Sequence, residues 1–464
     1  MEDKAVKACG RHAKISDAET ANEKKLPLWQ HILILFAIFV GLQALFFVSS
    51  VCAAALPKEP ILNNIEASQE SSLVQYFDYS HEVFGSSVSF DNNRFIESFA
   101  KQDDYEGDPV KASALNMIEY TMPGTTTTIE YFRYWHGWQL PIFLLLMIGN
   151  LDFVSIVLGI FAFGSAVFFL LQLRHYLGWI PATVFSLVAF LSTNIIGNFM
   201  GDILLSFSIS IVILFCAISL KVGRNPNRGV RWQDCICFTS ACLFCFFDFF
   251  TIPSYAIAMA VFSGMLASGC LKSNFKQGVL LFIRFAIIFL LGFILTWVSK
   301  WAFAACYLGI PFVVENVFGE IGLWSGSGTD EASGALRDRF PRLFAIAKSV
   351  LYVLDSRNAD RAMHWNIAGI IVFAVFLVGV VLIVLSMVKM RKRETINGGV
   401  WSILLPALFI PAAIFFMYHH VIFHMGIFGY KPWAFFFADV ACLGCYLFLR
   451  IRSSTKYTNK SLTD

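Results

Sequence analysis

The chain has 464 residues, of which 57% are hydrophobic and only 14% charged, with a formal net charge of +3. Soluble domains carry about a quarter charged residues, so this chain has too little polar surface to face water on all sides, and its solvent must be lipid. The small net charge argues against a nucleic-acid partner.

Apolar runs of about 20 residues predict about ten spans. Residues 1–28 form a polar tail carrying Lys4, Lys7, Arg11, Lys14, Lys24 and Lys25. The first transmembrane helix covers 29–55. Its apolar run is too long for the 7–15-residue core of a cleaved signal peptide, so it is expected to stay as an anchor. Residues 56–150 make a long extracytoplasmic segment in which acidic residues outnumber basic ones. It ends in YFRYWHGWQLPIFLLLM, which reads as an interfacial or re-entrant helix because aromatics favour the headgroup level and Pro141 interrupts it. A transmembrane bundle over 151–309 follows, with spans near 151–173, 179–197, 203–221, 235–250, 254–271 and 279–308. A second extracytoplasmic segment covers 310–366. Spans near 367–388, 401–418 and 432–449 form a second bundle over 367–449, and 450–464 is a basic tail.

The connecting charges orient this scheme. Arg174, then Lys221 to Arg231, then Lys272 and Lys276, then Lys389 to Arg393, then Arg450 to Lys460 all fall on the side of the N-terminal tail if the spans alternate. The positive-inside rule makes that side cytoplasmic, placing both termini in the cytoplasm of a multi-pass cell-membrane protein.

Eleven cysteines are present, and neither long outer segment contains one, which excludes a secreted-type disulfide framework there. Cys235, Cys237, Cys242, Cys245, Cys442 and Cys445 lie among apolar residues and read as small core hydrophobes. P-loop, HExxH, GxSxG and GxGxxG motifs are absent, and the cytoplasmic loops are too short to hold a nucleotide-binding domain. No cofactor is indicated, a divalent cation being the one left open.

The remaining ionisable groups fall on the extracytoplasmic face: Glu66, Asp78 and Glu82 in the first outer segment, Arg133 and His136 at its end beside Trp135, and Asp202 between the third and fourth spans. Asp248 lies in FFDFFTIPSY, Arg337, Arg339 and Arg342 in GALRDRFPRLFAI, and His419, His420 and His424 crown the ninth span. Charges in or beside spans are expensive and line cavities, so their collection on one face suggests a site. Asp248 carries the strongest signal, since a carboxylate among phenylalanines needs a partner or water. The three histidines do not share one helix face, which argues against a three-histidine metal site.

The segments YFRYWHGWQLPIFLLLM, FDFFTIP, GALRDRFPRLFAI and HHVIFHMGIFGYKPWAF, in that order, resemble those of an uncharacterised Gram-positive multi-pass membrane family that is itself similar to the GT-C glycosyltransferases. The broader architecture, a cytoplasmic N-terminus, a large acidic outer segment and many later spans, also resembles GT-C. That resemblance implies an all-α polytopic fold of about ten transmembrane helices with interfacial helices in the first outer loop. It implies a polyprenyl-phosphate sugar donor, a glycan, lipid or protein acceptor, an acidic base and basic residues holding the lipid phosphate. Glu66, Asp78, Glu82 and Asp248 are then the candidate acids. Arg133, Trp135, His136, Asp202, Arg337, Arg339, Arg342, His419, His420 and His424 are candidates for substrate binding. The acid pair that many GT-C enzymes carry just after the first span is missing here, Asp103-Asp104 lying much later. Two other readings are a non-catalytic component of an envelope pathway and a transporter or flippase.

Overall fold

The computed structural model describes residues 27–69, 82–83, 86–87, 92–103, 105–122, 125–192, 203–225, 228–248, 252–325, 340–354, 367–390, 397–423 and 432–460. It is dominated by helices: α1 (Leu28–Ala54), α2 (Lys58–Gln69), α3 (Asn92–Ala100), α4 (Pro109–Leu115), α5 (Gln139–Leu146), α6 (Leu151–Leu177), α7 (Trp179–Ser192), α8 (Ile203–Gly223), α9 (Val230–Phe247), α10 (Pro253–Ala267), α11 (Phe275–Leu308), α12 (Ile310–Ser325), α13 (Pro341–Leu354), α14 (Ile367–Met390), α15 (Phe409–Phe416), α16 (Tyr418–Phe423) and α17 (Trp433–Lys460). Among the described residues, seven helical stretches are long and apolar enough to cross a membrane: α1, α6, α9, α11, most of α14, the run Gly398–Phe416 and the first twenty residues of α17. Shorter apolar helices lie at α7, in α8 and at α10, where the other three spans were predicted.

Local signals set these boundaries. Asn150 caps α6 by accepting from the Phe153 amide at 3.0 Å. Asn274 and Gln277 form a capping box at the start of α11. Pro253 opens α10, where a missing N–H costs nothing. Gly309, with φ of 81°, breaks the chain between α11 and α12 in a conformation that an L side chain resists.

The packing separates lipid-facing helices from a central one. α1, α6, α11 and α14 keep rows of large apolar residues exposed, for instance Ile156, Ile160 and Phe163, or Leu280, Ile283, Ile287 and Leu291. In α10, by contrast, every residue from Ser254 to Leu266 is buried, surrounded by α8, α9, α11 and the Gly398–Leu408 segment. At about 1.5 Å per residue, α10 is only about 22 Å long, and protein surrounds it on all sides. α14 and α17 approach closely through small residues: a Cβ at Gly379 would lie 2.6 Å from the Cα of Ala441.

The structure departs from the sequence reading in three places. First, the outer segment is not purely helical. β1 (Glu82–Val83) pairs with β2 (Ser86–Ser87), and β3 (Met117–Met122) pairs antiparallel with β4 (Thr125–Glu130), Met117 opposite Glu130 and Met122 opposite Thr125. The run Thr125–Thr128 is β-branched and favours a strand. Second, the predicted ninth span begins as a 3-10 helix over Gly398–Leu408, with Pro406 inside it, before α15 and α16. Proline removes a backbone donor and disfavours continuous α-helix. Third, the fifth span stops at Phe247, because Asp248 turns extended. The segment read as interfacial contains α5, eight residues long and so about 12 Å, too short to span.

Candidate functional site

The site is built around residues 131–138, the link between the β3–β4 hairpin and α5. Tyr131 donates its amide to the Asn116 carbonyl at 3.1 Å. The Arg133 carbonyl accepts from the indoles of Trp297 at 2.8 Å and Trp301 at 3.2 Å, both on α11. Trp135 is buried and donates Nε1 to the Thr296 carbonyl at 2.9 Å. The Gly137 amide donates to the Phe246 carbonyl near the end of α9 at 2.8 Å. This end of the bundle is termed the upper end, and the end bearing the start of α1 the lower end.

Asp248 sits where α9 stops, one turn from these contacts. It is 3% exposed, its amide donates to the Phe244 carbonyl, and its Oδ1 accepts from Ser208 Oγ of α8 at 3.2 Å. The partner that a carboxylate among phenylalanines requires is thus in part a serine on the neighbouring helix. Tyr134 lies within electrostatic reach of Asp248. Burial lifts its phenol above the usual tyrosine range, Arg133 opposing this and Glu320, Tyr131 and Asp248 adding to it. His136 is buried, takes a φ of 53° and bonds the Tyr131 carbonyl through Nε2 at 3.2 Å. Burial, then the Lys300 charge, hold its imidazole well below the ordinary value, with the Tyr131 carbonyl opposing, so it is neutral at pH 7. Arg133 reaches outward to α12, donating Nη1 to Asn316 Oδ1 at 2.7 Å and pairing with Glu320 at 3.5 Å.

A second group lies one helical turn further along α12. Trp324 meets the His420 ring edge-on at 4.2 Å. His419 and His420 belong to α16 with Tyr418, and Arg342 of α13 stacks over the rings of Phe415 and Tyr418 at 5.0 and 5.8 Å. Glu320 and Trp324 are four residues apart, about 6 Å along the helix. α12 therefore joins the segment that carries Arg133 to a group in which arginine and histidine lie on aromatic rings.

The structure thus seats Arg133, Trp135 and His136 in a segment bonded to Phe246, two residues before Asp248, and places Arg342, His419 and His420 on the neighbouring α13 and α16. Glu66 lies exposed on α2, whose Ile61 and Ile65 face the core. Glu82 lies in β1, and its side chain is outside the described residues, as are Asp78, Asp202, Arg337, Arg339 and His424. The described cysteines are all free, and among the described residues no group of three His, Cys, Asp or Glu side chains could hold a metal ion.

Buried ionisable groups that the sequence reading did not single out lie elsewhere in the bundle. At the lower end, Asp234 of α9 is fully buried and accepts from Arg284 of α11, at 2.9 Å through Nε and also through Nη2, and from His31 of α1 at 2.9 Å. Lys300 of α11 is fully buried near the upper end, donating to the carbonyls of Ser113 and Ala114 at 2.6 and 2.9 Å, and ties the C-terminus of α4 to the bundle. Asp439 of α17 is also fully buried. Each is a charge-bearing residue inside an apolar run, and that is the signal by which the sequence marks them.

Comparison of the chain with known family models, with curated proteins and with solved structures gave no match.

Proposed function

We propose that the chain is an integral membrane glycosyltransferase of the GT-C kind, transferring sugar from a polyprenyl-phosphate carrier to an envelope acceptor at the upper end. In this reading the upper end is extracytoplasmic and both termini are cytoplasmic. The observation that carries the proposal is that α12 bonds Arg133, in the segment held to Phe246 two residues before the buried carboxylate of Asp248, and one turn on meets His420 of the helix that Arg342 lies over. Inverting transfer needs two poles. A carboxylate takes the proton as the acceptor hydroxyl attacks the anomeric carbon, and cations stabilise the phosphate as its bond to that carbon breaks. Asp248 is assigned the base, with Glu66, Asp78 and Glu82 as the other candidates. Arg342, with Arg337 and Arg339 five and three residues earlier in the chain, is assigned to the donor phosphate, since guanidinium forks suit phosphate at headgroup depth. Arg133, Trp135, His136 and Asp202 are assigned to the acceptor side, and His419, His420 and His424 to the donor side.

The test uses purified protein and a panel of polyprenyl-phosphate sugars, reading donor loss and product formation. Asp248→Asn is expected to abolish turnover while leaving folding intact. A well-folded Asp248→Asn protein that still turns over would remove the base, and no donor consumed by the parent protein would remove the reaction.

A second reading, a transporter or flippase, draws on the 3-10 segment with Pro406 in the ninth span. Interrupted helices at membrane depth are characteristic of transport sites. A lipid donor that moves between leaflets of a reconstituted vesicle without being consumed would favour it.

A further inference from the structure

Asp439 stands apart from every polar group discussed so far. It lies two turns into α17, is 0% exposed, and neither carboxyl oxygen has a hydrogen-bond partner among the described residues. Its surroundings are apolar core: Phe435 one turn before it packs between Phe185 of α7 and Phe262 of α10, and Leu443 one turn after it is fully buried.

The elements packed against α17 offer no counter-charge to it. α7 carries no ionisable side chain among its described residues, α10 carries only the phenol of Tyr255, and the Gly398–Leu408 segment carries none. The nearest titratable neighbours are thiols, Cys442 on the same helix and Cys270 at the turn before α11. Lys272 at that turn is exposed. Lys389, the one ionisable residue in the described part of α14, lies over the Phe448 ring, nine residues and about 13 Å further along α17. Cys445, Tyr446, Arg450 and Arg452 also lie further along α17, with Arg450 bonded to the Tyr446 hydroxyl.

An ionised carboxylate so placed would meet no donor and no cation among the described residues, at a cost of many kcal/mol. A bound metal ion would need several ligands, and no three-ligand group exists among the described residues. A proton needs only the one carboxyl. We propose that Asp439 is a proton-binding site inside the membrane domain, a carboxylic acid that stays protonated in the packed bundle. The inference does not depend on the glycosyltransferase reading.

The test compares the full-length protein with Asp439→Asn, a neutral isostere of the acid, in lipid vesicles at pH 7. The infrared difference spectrum is expected to show the C=O stretch of a protonated carboxyl in the parent that is lost in the variant, with the two proteins equally stable to heat. Dicyclohexylcarbodiimide, which reacts with protonated carboxyls from the apolar phase, is expected to give an adduct at Asp439 by mass spectrometry, and raised pH but not sodium or calcium should suppress it. A carboxylate band in place of the acid band overturns the proposal. So does protection of the adduct by a metal cation, or a large loss of stability in Asp439→Asn, which would mean that a charged group had been held there.

Discussion

Gly137→Ala is the sharpest probe of how the 131–138 segment is seated. A Cβ at position 137 would meet three carbons of the Phe246 ring, all within 2.6 Å, where ordinary contact begins near 3.4 Å. The ring cannot easily retreat. It is 2% exposed, stacks on Phe46 at 4.0 Å with planes 7° apart, and touches Trp135 and Phe247. The backbone cannot easily retreat either, since the Gly137 amide is bonded to the Phe246 carbonyl. Overpacking a filled core costs about 1–3 kcal/mol, and weakening that hydrogen bond adds about 1 kcal/mol, so the substitution is expected to cost about 3 kcal/mol. Phe246→Leu alone should cost about 1–2 kcal/mol through lost ring contacts. The double variant should be more stable than the sum of the two predicts by about 1.5 kcal/mol, because leucine leaves room for the new methyl. Equilibrium unfolding in detergent, followed by tryptophan emission, suits the purpose because Trp135 and Trp138 flank the mutated position. A Gly137→Ala protein within 0.5 kcal/mol of the parent, or strict additivity in the double variant, would refute the packing argument.

Two further outcomes are expected. His136 is buried in its neutral form, so the unfolded chain binds a proton that the folded one refuses; its contribution leaves stability flat above about pH 6.5 and lowers it as pH falls below, by at most about 1.4 kcal/mol per pH unit. Unfolding titrations from pH 8 to 5 should show that acid-side loss reduced in His136→Asn, asparagine tolerating the positive φ, and an unchanged profile would mean that His136 is not the group titrating. For orientation, single cysteines in a background without native cysteine should label at position 90 and be protected at position 226 in intact cells treated with an impermeant reagent; the reverse pattern would invert the proposed topology.

Local periodicity and composition were enough to mark membrane helices, because a run of apolar residues is a property of adjacent positions. The Leu28–Ala54, Leu151–Leu177 and Phe275–Leu308 helices can be read off the chain for that reason. Asp248 was legible by the same local logic as a carboxylate among phenylalanines that needs a partner. Its hydroxyl partner was not, since Ser208 is forty residues away and looks like any other small residue in an apolar helix. The buried charges show the same boundary. Asp234, Arg284 and His31 are visible as ionisable residues inside apolar runs, but only the packing of α1, α9 and α11 turns them into one hydrogen-bonded group. The 3-10 start of the ninth span was hidden because hydropathy is blind to helix type, even with Pro406 in view.

What the sequence determined by itself, then, is the solvent of this protein and the placement of its long helices, since both follow from how much polar surface the residues can offer and where it lies along the chain. Tertiary structure decided which charges meet. Arg133 reaches Glu320 across nearly two hundred residues, and Lys300 reaches Ser113 across as many, because helices folded against one another bring together side chains whose separation along the chain holds no record of it. Asp439 is the converse case: its isolation, with no donor among the described residues, is a property of the packed interior around it and could not be read from its neighbours in the chain.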